Sequence, residues 1–245
     1  MKDLSELKNW LERICESNLE NEKLDFVWEI MKSPYVEFHY DLLNDKTLDD
    51  HFKRDLASRF NEHGEKAENL LFSKLDKNED VDFHGNIIFL LGKIKSKNKT
   101  KVLAYARKLA EDENDFTRER AIIVLGWVGA MGDTKMIAQH LLQDKNAKCR
   151  AWSASSFMQM WFKNESVLIK KKAFVAYKKA LPYENDYLVL SIILSSIRTI
   201  GKTKLGISQT ALDKLDIEKI EIAKIKAMKF LDKTLIKSMK SDTLI

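Results

Sequence analysis

Apolar residues recur every three or four positions along most of the chain, and this spacing predicts a succession of amphipathic helices. The first run has Leu4, Leu7, Trp10, Leu11 and Ile14 on one helical face. Short polar stretches separate the runs and supply the turns. The predicted helices and helix pairs cover residues 4–14, 24–31, 35–43, 47–60, 67–75, 79–95, 100–111, 116–131, 133–143, 147–163, 165–180, 184–201 and 209–240.

Three segments in the middle of the chain share one internal spacing, and their starts are offset by 34 and 32 residues. Each begins with a polar residue, has His or Arg six positions later, and continues as an apolar ladder. The polar pairs are Asn78 with His84, Asp112 with Arg118, and Asp144 with Arg150. Such a period is typical of stacked units that bury their apolar faces against their neighbours. It predicts one continuous all-α domain over residues 1–245, clearest at 70–162, with helices at about 209–240 capping the end through a polar outer face.

Two of these segments read Asp-x5-Arg, and two contain Leu-Gly-x-Ile/Val, at 91–94 and 125–128. In these features the chain resembles the HEAT repeat, a two-helix unit found in many scaffold and adaptor proteins. The resemblance implies a right-handed α-solenoid of antiparallel helix pairs, whose second helices line a concave surface. It also implies that Arg118 and Arg150 are structural and tie each unit to its neighbour. His84 and Asn78 depart from the pattern, so we expect a weaker tie at that junction.

The second helix of each unit carries the His or Arg of the polar pairs given above. The candidate binding face consists of the residues two, five and nine positions after that His or Arg, which lie off the buried apolar positions of the helix. These columns read Asn86, Arg120 and Trp152, then Phe89, Ile123 and Ser155, then Lys93, Trp127 and Gln159. Aromatic rings beside a guanidinium are typical of protein-binding hot spots. We therefore expect a groove formed by Asn86, Lys93, Arg120, Ile123, Trp127, Trp152 and Gln159. The alternative is that Trp127 and Trp152 pack between units.

Composition fits a helical cytoplasmic chain, with 44% hydrophobic and 32% charged residues and only 8 Gly and 2 Pro. The two cysteines, Cys15 and Cys149, are too few for a disulfide framework and have no metal-ligand spacing, so we expect reduced thiols. The N-terminal segment lacks the apolar core of a signal peptide, and the other apolar runs are too short to span a bilayer. We expect a cytoplasmic protein with no cofactor, metal or membrane partner.

Charge is unevenly distributed along the chain. Residues 1–90 hold 12 Lys and Arg against 21 Asp and Glu, a net charge of −9, whereas residues 91–245 hold 30 against 16, a net charge of +14. Nucleic-acid binding through the basic C-terminal two-thirds is therefore an alternative function. However, 34 of the 42 basic residues are Lys, whereas base readout and bidentate phosphate contacts favour Arg.

Sequence signatures of catalysis are missing. The chain contains no GxGxxG, GxxxxGK[ST], HExxH or nucleophile-elbow motif, and its five histidines are scattered. HEAT-like DNA glycosylases, which remove alkylated purines, are similar in length and carry Trp and Arg on a basic face, here Trp127, Trp152 and Arg150. This chain lacks their adjacent Trp pair followed by Asp. We therefore predict that it is not an enzyme.

These observations predict a helical-repeat module that binds another protein. Small helical-repeat proteins resemble adaptors or dedicated inhibitors, and bacterial immunity proteins that block a cognate toxin are sometimes built in this way. If the partner is a nuclease, an acidic patch in residues 1–90 would mimic phosphate. The candidate residues for this patch are Asp41, Asp45, Asp49 and Asp50.

Overall fold

The computed structural model describes residues 2–17, 20–94, 96–163 and 165–242, and within them it contains fourteen α-helices and no strand. The helices are α1 Leu4–Ser17, α2 Glu20–Ile30, α3 Val36–Asn44, α4 Asp50–Arg59, α5 Glu65–Asp76, α6 His84–Lys93, α7 Lys99–Leu109, α8 Asp115–Val128, α9 Thr134–Gln143, α10 Ala147–Phe162, α11 Val167–Ala180, α12 Tyr187–Gly201, α13 Gln209–Asp213 and α14 Ile217–Asp242. Short 3₁₀ turns precede α5, α6 and α9. The chain forms two compact units, Met1–Asn98 and Lys99–Ile245.

In the first unit, antiparallel helices pack around an aromatic core. Helix α2 packs on α1 and α4, and α3 packs on α4 and α5. Phe26 contacts Trp10 edge-on at 5.5 Å, and Phe52 lies 6.0 Å from Phe26 on the other side. Tyr40 and Phe60 continue this core, and both side chains are buried. Burial of these large rings stabilises the stack of helices.

Helix α6 begins at His84, five residues later than the apolar pattern predicts. The reason is local backbone conformation, because Asn78 and Asp80 both adopt positive φ angles, 54° and 51°. A left-handed residue ends an α-helix, and Asn and Asp are the side chains that tolerate it best. The segment before His84 is therefore a turn.

In the second unit, the helices form two layers. Helices α8, α10, α12 and α14 pack successively on one another, while α9 packs on α11 and α11 on α14. The members of each pair, α7 with α8, α9 with α10, and α11 with α12, are also in contact. This arrangement is that of stacked helix pairs, in which each pair buries its apolar faces against the next.

Side-chain caps fix where α8, α10 and α12 start. The Asn114 side chain accepts a hydrogen bond from the Thr117 N–H at 3.0 Å and so caps α8. Asn146 and Asp186 cap α10 and α12 in the same way. Because an N-cap satisfies N–H groups that lack a helical partner, these residues set the register of each helix in the stack.

Helices α8 and α10 approach each other closely at Gly126 of α8. Ser156 of α10 donates a hydrogen bond from its hydroxyl to the Ile122 carbonyl at 2.8 Å. A Cβ atom at Gly126 would lie 2.8 Å from this hydroxyl and 2.9 Å from the Ser156 Cα. Glycine is therefore required at position 126 by the helix contact itself.

The last helix differs from its prediction. The region 209–240 contains a five-residue helix, α13, followed by the 26-residue α14. The prediction of a polar outer face was wrong, because Ile222, Ile225 and Ile236 on α14 are 47%, 57% and 55% exposed. Their spacing places them on the side of α14 that faces away from its buried residues, such as Ala223 and Ala227.

The predicted all-α class, built from stacked antiparallel helix pairs, is confirmed. The right-handed sense of the solenoid and the assignment of residues 1–245 to a single domain stay predictions.

Candidate functional site

Arg118 of α8 forms the best-connected ion pair of the second unit. Its Nε and Nη2 donate to the two carboxylate oxygens of Asp144, in the next helix-pair turn, at 2.9 and 3.0 Å. Its Nη1 donates to the carbonyls of Asp112 and Glu113 in the preceding turn at 2.8 and 3.1 Å. The side chains of Arg118 and Asp144 are only 8% and 3% exposed. One guanidinium therefore ties two successive turns together.

The electrostatics of this pair follow from its hydrogen bonds. The bond with Asp144 is the largest influence on Arg118 and raises the pKa of the guanidinium, although burial opposes it. Burial would raise the pKa of Asp144, but hydrogen bonds from Arg118, the Asn146 N–H and His140 lower it to about 2. The pair is thus fully ionised at neutral pH.

Arg150 of α10 repeats the arrangement one helix pair later. Its Nη1 donates to the Asp144 carbonyl at 2.9 Å, and its Nε and Nη2 donate to the Glu184 carboxylate at 2.8 and 3.1 Å. Lys224 of α14 then donates to the Glu184 carbonyl at 3.0 Å. The predicted structural role of Arg118 and Arg150 thus corresponds to a ladder of guanidinium ties through the second unit, and Arg150 is engaged within it.

Sequence reasoning missed Glu184 as a member of this ladder. Its Oε1 accepts from the N–H groups of Asn185 and Asp186, as Asp144 Oδ1 accepts from the Asn146 N–H. A signal was present, because an acidic residue stands two positions before the N-cap of both α10 and α12. The longer spacing of 40 residues between positions 144 and 184 hid the equivalence.

In the first unit, His84 occupies the position of the ladder Arg. Its Nε2 forms a hydrogen bond of 3.0 Å with the Glu79 carbonyl, which lies in the turn just before it. This contact reproduces the local half of the Arg118 arrangement, in which the guanidinium bonds the carbonyls of its own turn. The expected weaker tie at this junction stays a prediction.

An exposed apolar strip crosses helices α8, α10 and α12 of the second unit. Phe116 of α8, Trp152 of α10 and Leu188 of α12 are 38%, 38% and 37% exposed. The guanidinium of Arg120 lies 4.9 Å from the centre of the Phe116 ring, and Lys148 is exposed at the second residue of α10. We call the surface formed by Phe116, Arg120, Lys148, Trp152 and Leu188 the Trp152 face.

These residues occupy equivalent positions in their helices. Phe116, Lys148 and Leu188 are each the second residue of their helix, and Arg120 and Trp152 are each the sixth. Hydrogen bonds of the Ser156 hydroxyl to the Ile122 carbonyl and of the Lys163 ammonium to the Gly129 carbonyl hold α10 against α8. The Trp152 face therefore spans three helices that pack successively on one another.

The other predicted groove residues are distributed as follows. Trp127 and Gln159 are half-buried, each about two helical turns further along α8 and α10, on the side that bears Arg120 and Trp152. Ile123 is only 7% exposed, so it belongs to the core and does not line the face as predicted. Asn86 and Lys93 lie on α6 in the first unit, half-buried and exposed respectively, with the Lys93 ammonium 4.7 Å from the Phe89 ring centre.

Comparison with known families identifies the repeat. A family model of HEAT repeats matches residues 68–158, which include both Asp-x5-Arg segments. The chain contains HEAT repeats at residues 68–158. No curated protein and no solved structure matches it. HEAT repeats commonly form helical scaffolds that mediate protein interactions, and the Trp152 face begins within the matched repeats.

The predicted acidic patch lies in the first unit of this HEAT-repeat protein, and two of its four members have structural roles. Asp49 caps α4 by accepting from the Phe52 N–H at 2.8 Å and forms an ion pair with Lys23 at 3.1 Å. Asp45 accepts two hydrogen bonds from Thr47, both of 2.7 Å. Asp41 and Asp50 are exposed, and Asp50 forms an ion pair with Lys53 at 3.3 Å.

Among the residues that the structure describes, no group of three or more His, Cys, Asp or Glu side chains converges as a metal site. None of the described helices combines the length and apolar character needed to cross a bilayer.

Proposed function

We propose that this HEAT-repeat protein is a non-enzymatic module that binds another protein, and that the Trp152 face is its contact surface. The observation that carries the proposal is the exposure of Phe116, Trp152 and Leu188 on three helices that pack successively, each side chain with more than a third of its surface exposed. Exposed apolar residues are ordinary when scattered singly. A continuous row held by repeat packing is a feature of interaction surfaces.

The chemistry of the face suggests what a partner presents to it. Trp and Arg are the residues most enriched in interface hot spots, and here Trp152 and Arg120 occupy equivalent positions of adjacent helices. Burial lowers the pKa of Arg120, and the charge of Glu119 opposes this effect. A partly desolvated guanidinium gains more from an incoming carboxylate than a fully hydrated one. We therefore expect a partner segment with apolar side chains and at least one carboxylate.

The first experiment is a pull-down from native lysate with the tagged full-length chain, the Trp152→Ala variant and a matched control, Trp28→Ala. Trp28 is a second partly exposed tryptophan, 45% exposed, and lies on α2 in the other unit with the Arg59 guanidinium 4.3 Å from its ring. We expect a stoichiometric partner that the wild type and Trp28→Ala retain and Trp152→Ala loses. Loss of a central hot-spot residue costs about 2 kcal/mol or more, which weakens the Kd about 30-fold.

The same experiment separates protein binding from the nucleic-acid alternative. Binding of nucleic acid through lysines falls steeply with salt, because each neutralised phosphate releases a counterion. Binding centred on Trp152 is far less sensitive to salt and survives nuclease treatment. Capture that disappears at high salt or after nuclease, and that Trp152→Ala leaves unchanged, would refute the proposal in favour of the alternative.

A narrower version of the proposal is an inhibitor of the immunity-protein type, whose acidic surface complements a nuclease active site. Its support is the excess of acidic residues in positions 1–90. Asp41 and Asp50 are the residues to test, because Asp45 and Asp49 hold local structure. The double variant Asp41→Lys/Asp50→Lys should lose the captured partner if this version is correct, and unchanged capture would exclude a role for this patch.

A further inference from the structure

A hydrogen-bonded histidine pair links two segments of the first unit. His39 of α3 is fully buried, and its Nδ1 lies 2.8 Å from His63 Nε2. Its other ring nitrogen, Nε2, lies 3.1 Å from the Leu56 carbonyl near the end of α4. His63 ends the 3₁₀ turn Phe60–His63 that follows α4. Both nitrogens of His39 are thus used, one toward α4 and one toward the turn.

The partners determine where the protons are. A carbonyl oxygen accepts hydrogen bonds only, so His39 Nε2 carries the proton and donates to Leu56. In a neutral imidazole the other nitrogen then has a lone pair, so His39 Nδ1 accepts from His63 Nε2–H. The nitrogen left to bind an added proton is His63 Nδ1. A first added proton, bound at His63 Nδ1, leaves both hydrogen bonds of His39 intact.

A second proton is not compatible with the pair. It would have to bind at His39 Nδ1, where the His63 N–H already points, and two N–H groups would then face each other at 2.8 Å. Burial, followed by the charge of the neighbouring His63, lowers the pKa of His39 to about 3. The hydrogen bond to the Leu56 carbonyl acts in the opposite direction. Burial, followed by the charge of Lys66, lowers the pKa of His63.

The charged groups around the pair do not supply a compensating anion at His39. The charge that acts on His39 is that of His63 itself. His63 borders a cleft that it shares with Lys32 of the segment before α3, Glu62 of the turn, and Glu65 and Lys66 of α5. These groups stand at the cleft side of the pair, whereas His39 packs edge-on against the buried Phe60 ring at 5.1 Å.

We infer that the His39–His63 pair is an acid-sensitive latch, which holds the turn of residues 60–64 against α3 at neutral pH and releases it when both rings bind protons. Release separates the two rings and uncovers Phe60, which is completely buried in the closed state. In the open state both imidazoles titrate near their ordinary pKa of about 6.5. Uptake of one proton by His39 alone therefore raises the opening constant about 30-fold between pH 8 and pH 5.

The test is amide hydrogen exchange of the full chain at pH 8 and pH 5, with rates corrected for intrinsic exchange. The reporter is the Gly64 N–H, which donates to the Asn61 carbonyl at 3.0 Å within the latch turn. We expect its protection factor to fall about 30-fold at pH 5 in the wild type. In His39→Gln, the glutamine side chain keeps a donor for the Leu56 carbonyl and an acceptor for His63 but cannot bind a proton. The protection factor of the Gly64 N–H should therefore stay nearly constant between pH 8 and pH 5 in this variant.

The control variant is His51→Gln, which changes an exposed histidine of α4 that pairs with Asp55 at 3.3 Å. It should behave as the wild type does. Equal protection of Gly64 at both pH values, an equal fall in His39→Gln, or an equal fall at the amides of α12 would each overturn the inference. If His39→Gln does not fold, ¹⁵N NMR of the wild-type imidazoles decides. The latch requires the Nε2–H form of His39 to persist at pH 5 in the closed state, and a His39 that titrates near pH 6.5 with no change at Gly64 would overturn it.

Discussion

Replacing Arg118 with methionine removes one guanidinium from the ladder while keeping a long, flexible apolar side chain. The substitution deletes two hydrogen bonds to Asp144, one to Asp115 and two to backbone carbonyls. Asp144 is left 3% exposed without its cation, although the Asn146 N–H and His140 still bond it. The tie between two successive helix-pair turns is thereby lost.

The expected cost is about 3 kcal/mol of unfolding free energy. Removing one partner of a buried ion pair costs roughly 3–5 kcal/mol, and the two remaining partners of Asp144 favour the lower end. The pKa of Asp144 supplies an independent value. A decrease from 3.8 to about 2 corresponds to about 2 kcal/mol of preferential stabilisation of the carboxylate. Both routes give a large effect for a single substitution.

The matched control is Arg107→Met. Arg107 also forms a bidentate pair, and its partner Asp133 is 4% exposed, much as Asp144 is. The Arg107 side chain, however, is 47% exposed, so the solvent screens the interaction, and the Ala130 N–H still bonds Asp133 after the substitution. We expect a loss of about 1 kcal/mol there. Urea unfolding followed by circular dichroism measures both variants. If Arg118→Met costs no more than Arg107→Met, burial does not determine the strength of these ties, and the reasoning about the ladder is wrong.

Three further outcomes are expected. Because the pKa of Asp144 is lowered, its contribution to stability is complete above about pH 4 and is lost as the pH falls toward 2. In a plot of the urea midpoint against pH, Arg118→Met should therefore show a smaller fall at acidic pH than the wild type. Gly126→Ala should destabilise the protein by about 1–3 kcal/mol in the same urea assay, since the new Cβ meets the Ser156 backbone. The control is Gly132→Ala, where the new Cβ has no atom within 4 Å, and it should change stability by less than about 0.5 kcal/mol. Trp152→Ala should cost about 1–2 kcal/mol in thermal unfolding even where it abolishes partner capture, because part of the ring is already covered in the free chain, and a loss of about 3 kcal/mol or more would place the ring in the core.

Much of the fold could be predicted because the apolar ladder is a local property of the sequence. The resemblance of the Asp-x5-Arg segments to the HEAT repeat also implied the structural role of Arg118 and Arg150. The start of α6 could not be predicted in the same way, because it depends on left-handed backbone at Asn78 and Asp80, which no apolar period records. The division near residue 98 is likewise invisible, since the polar turn at 96–98 resembles the other turns.

The candidate site was predicted less well than the fold, for reasons of packing. Ile123 lies at a position that an amphipathic helix would expose, but α8 packs on both α7 and α10, and its residues 121–126 are all buried. One periodic stripe therefore underestimates the buried part of this helix. His39 and His63 are 24 residues apart and carry no motif, so only their contact in the folded unit identifies the pair.

The ladder and the Trp152 face use the same helices in different directions, and this separation gives the binding proposal its physical basis. Arg118 and Arg120 are two positions apart on α8, as Arg150 and Trp152 are on α10, so their side chains leave the helix on nearly opposite sides. Arg118 and Arg150 fix the turns, while Arg120 and Trp152 take no part in those ties. Substitutions on the face therefore leave these ion pairs in place. If the proposed function is correct, specificity for a partner is a property of positions 116, 120, 148, 152 and 188.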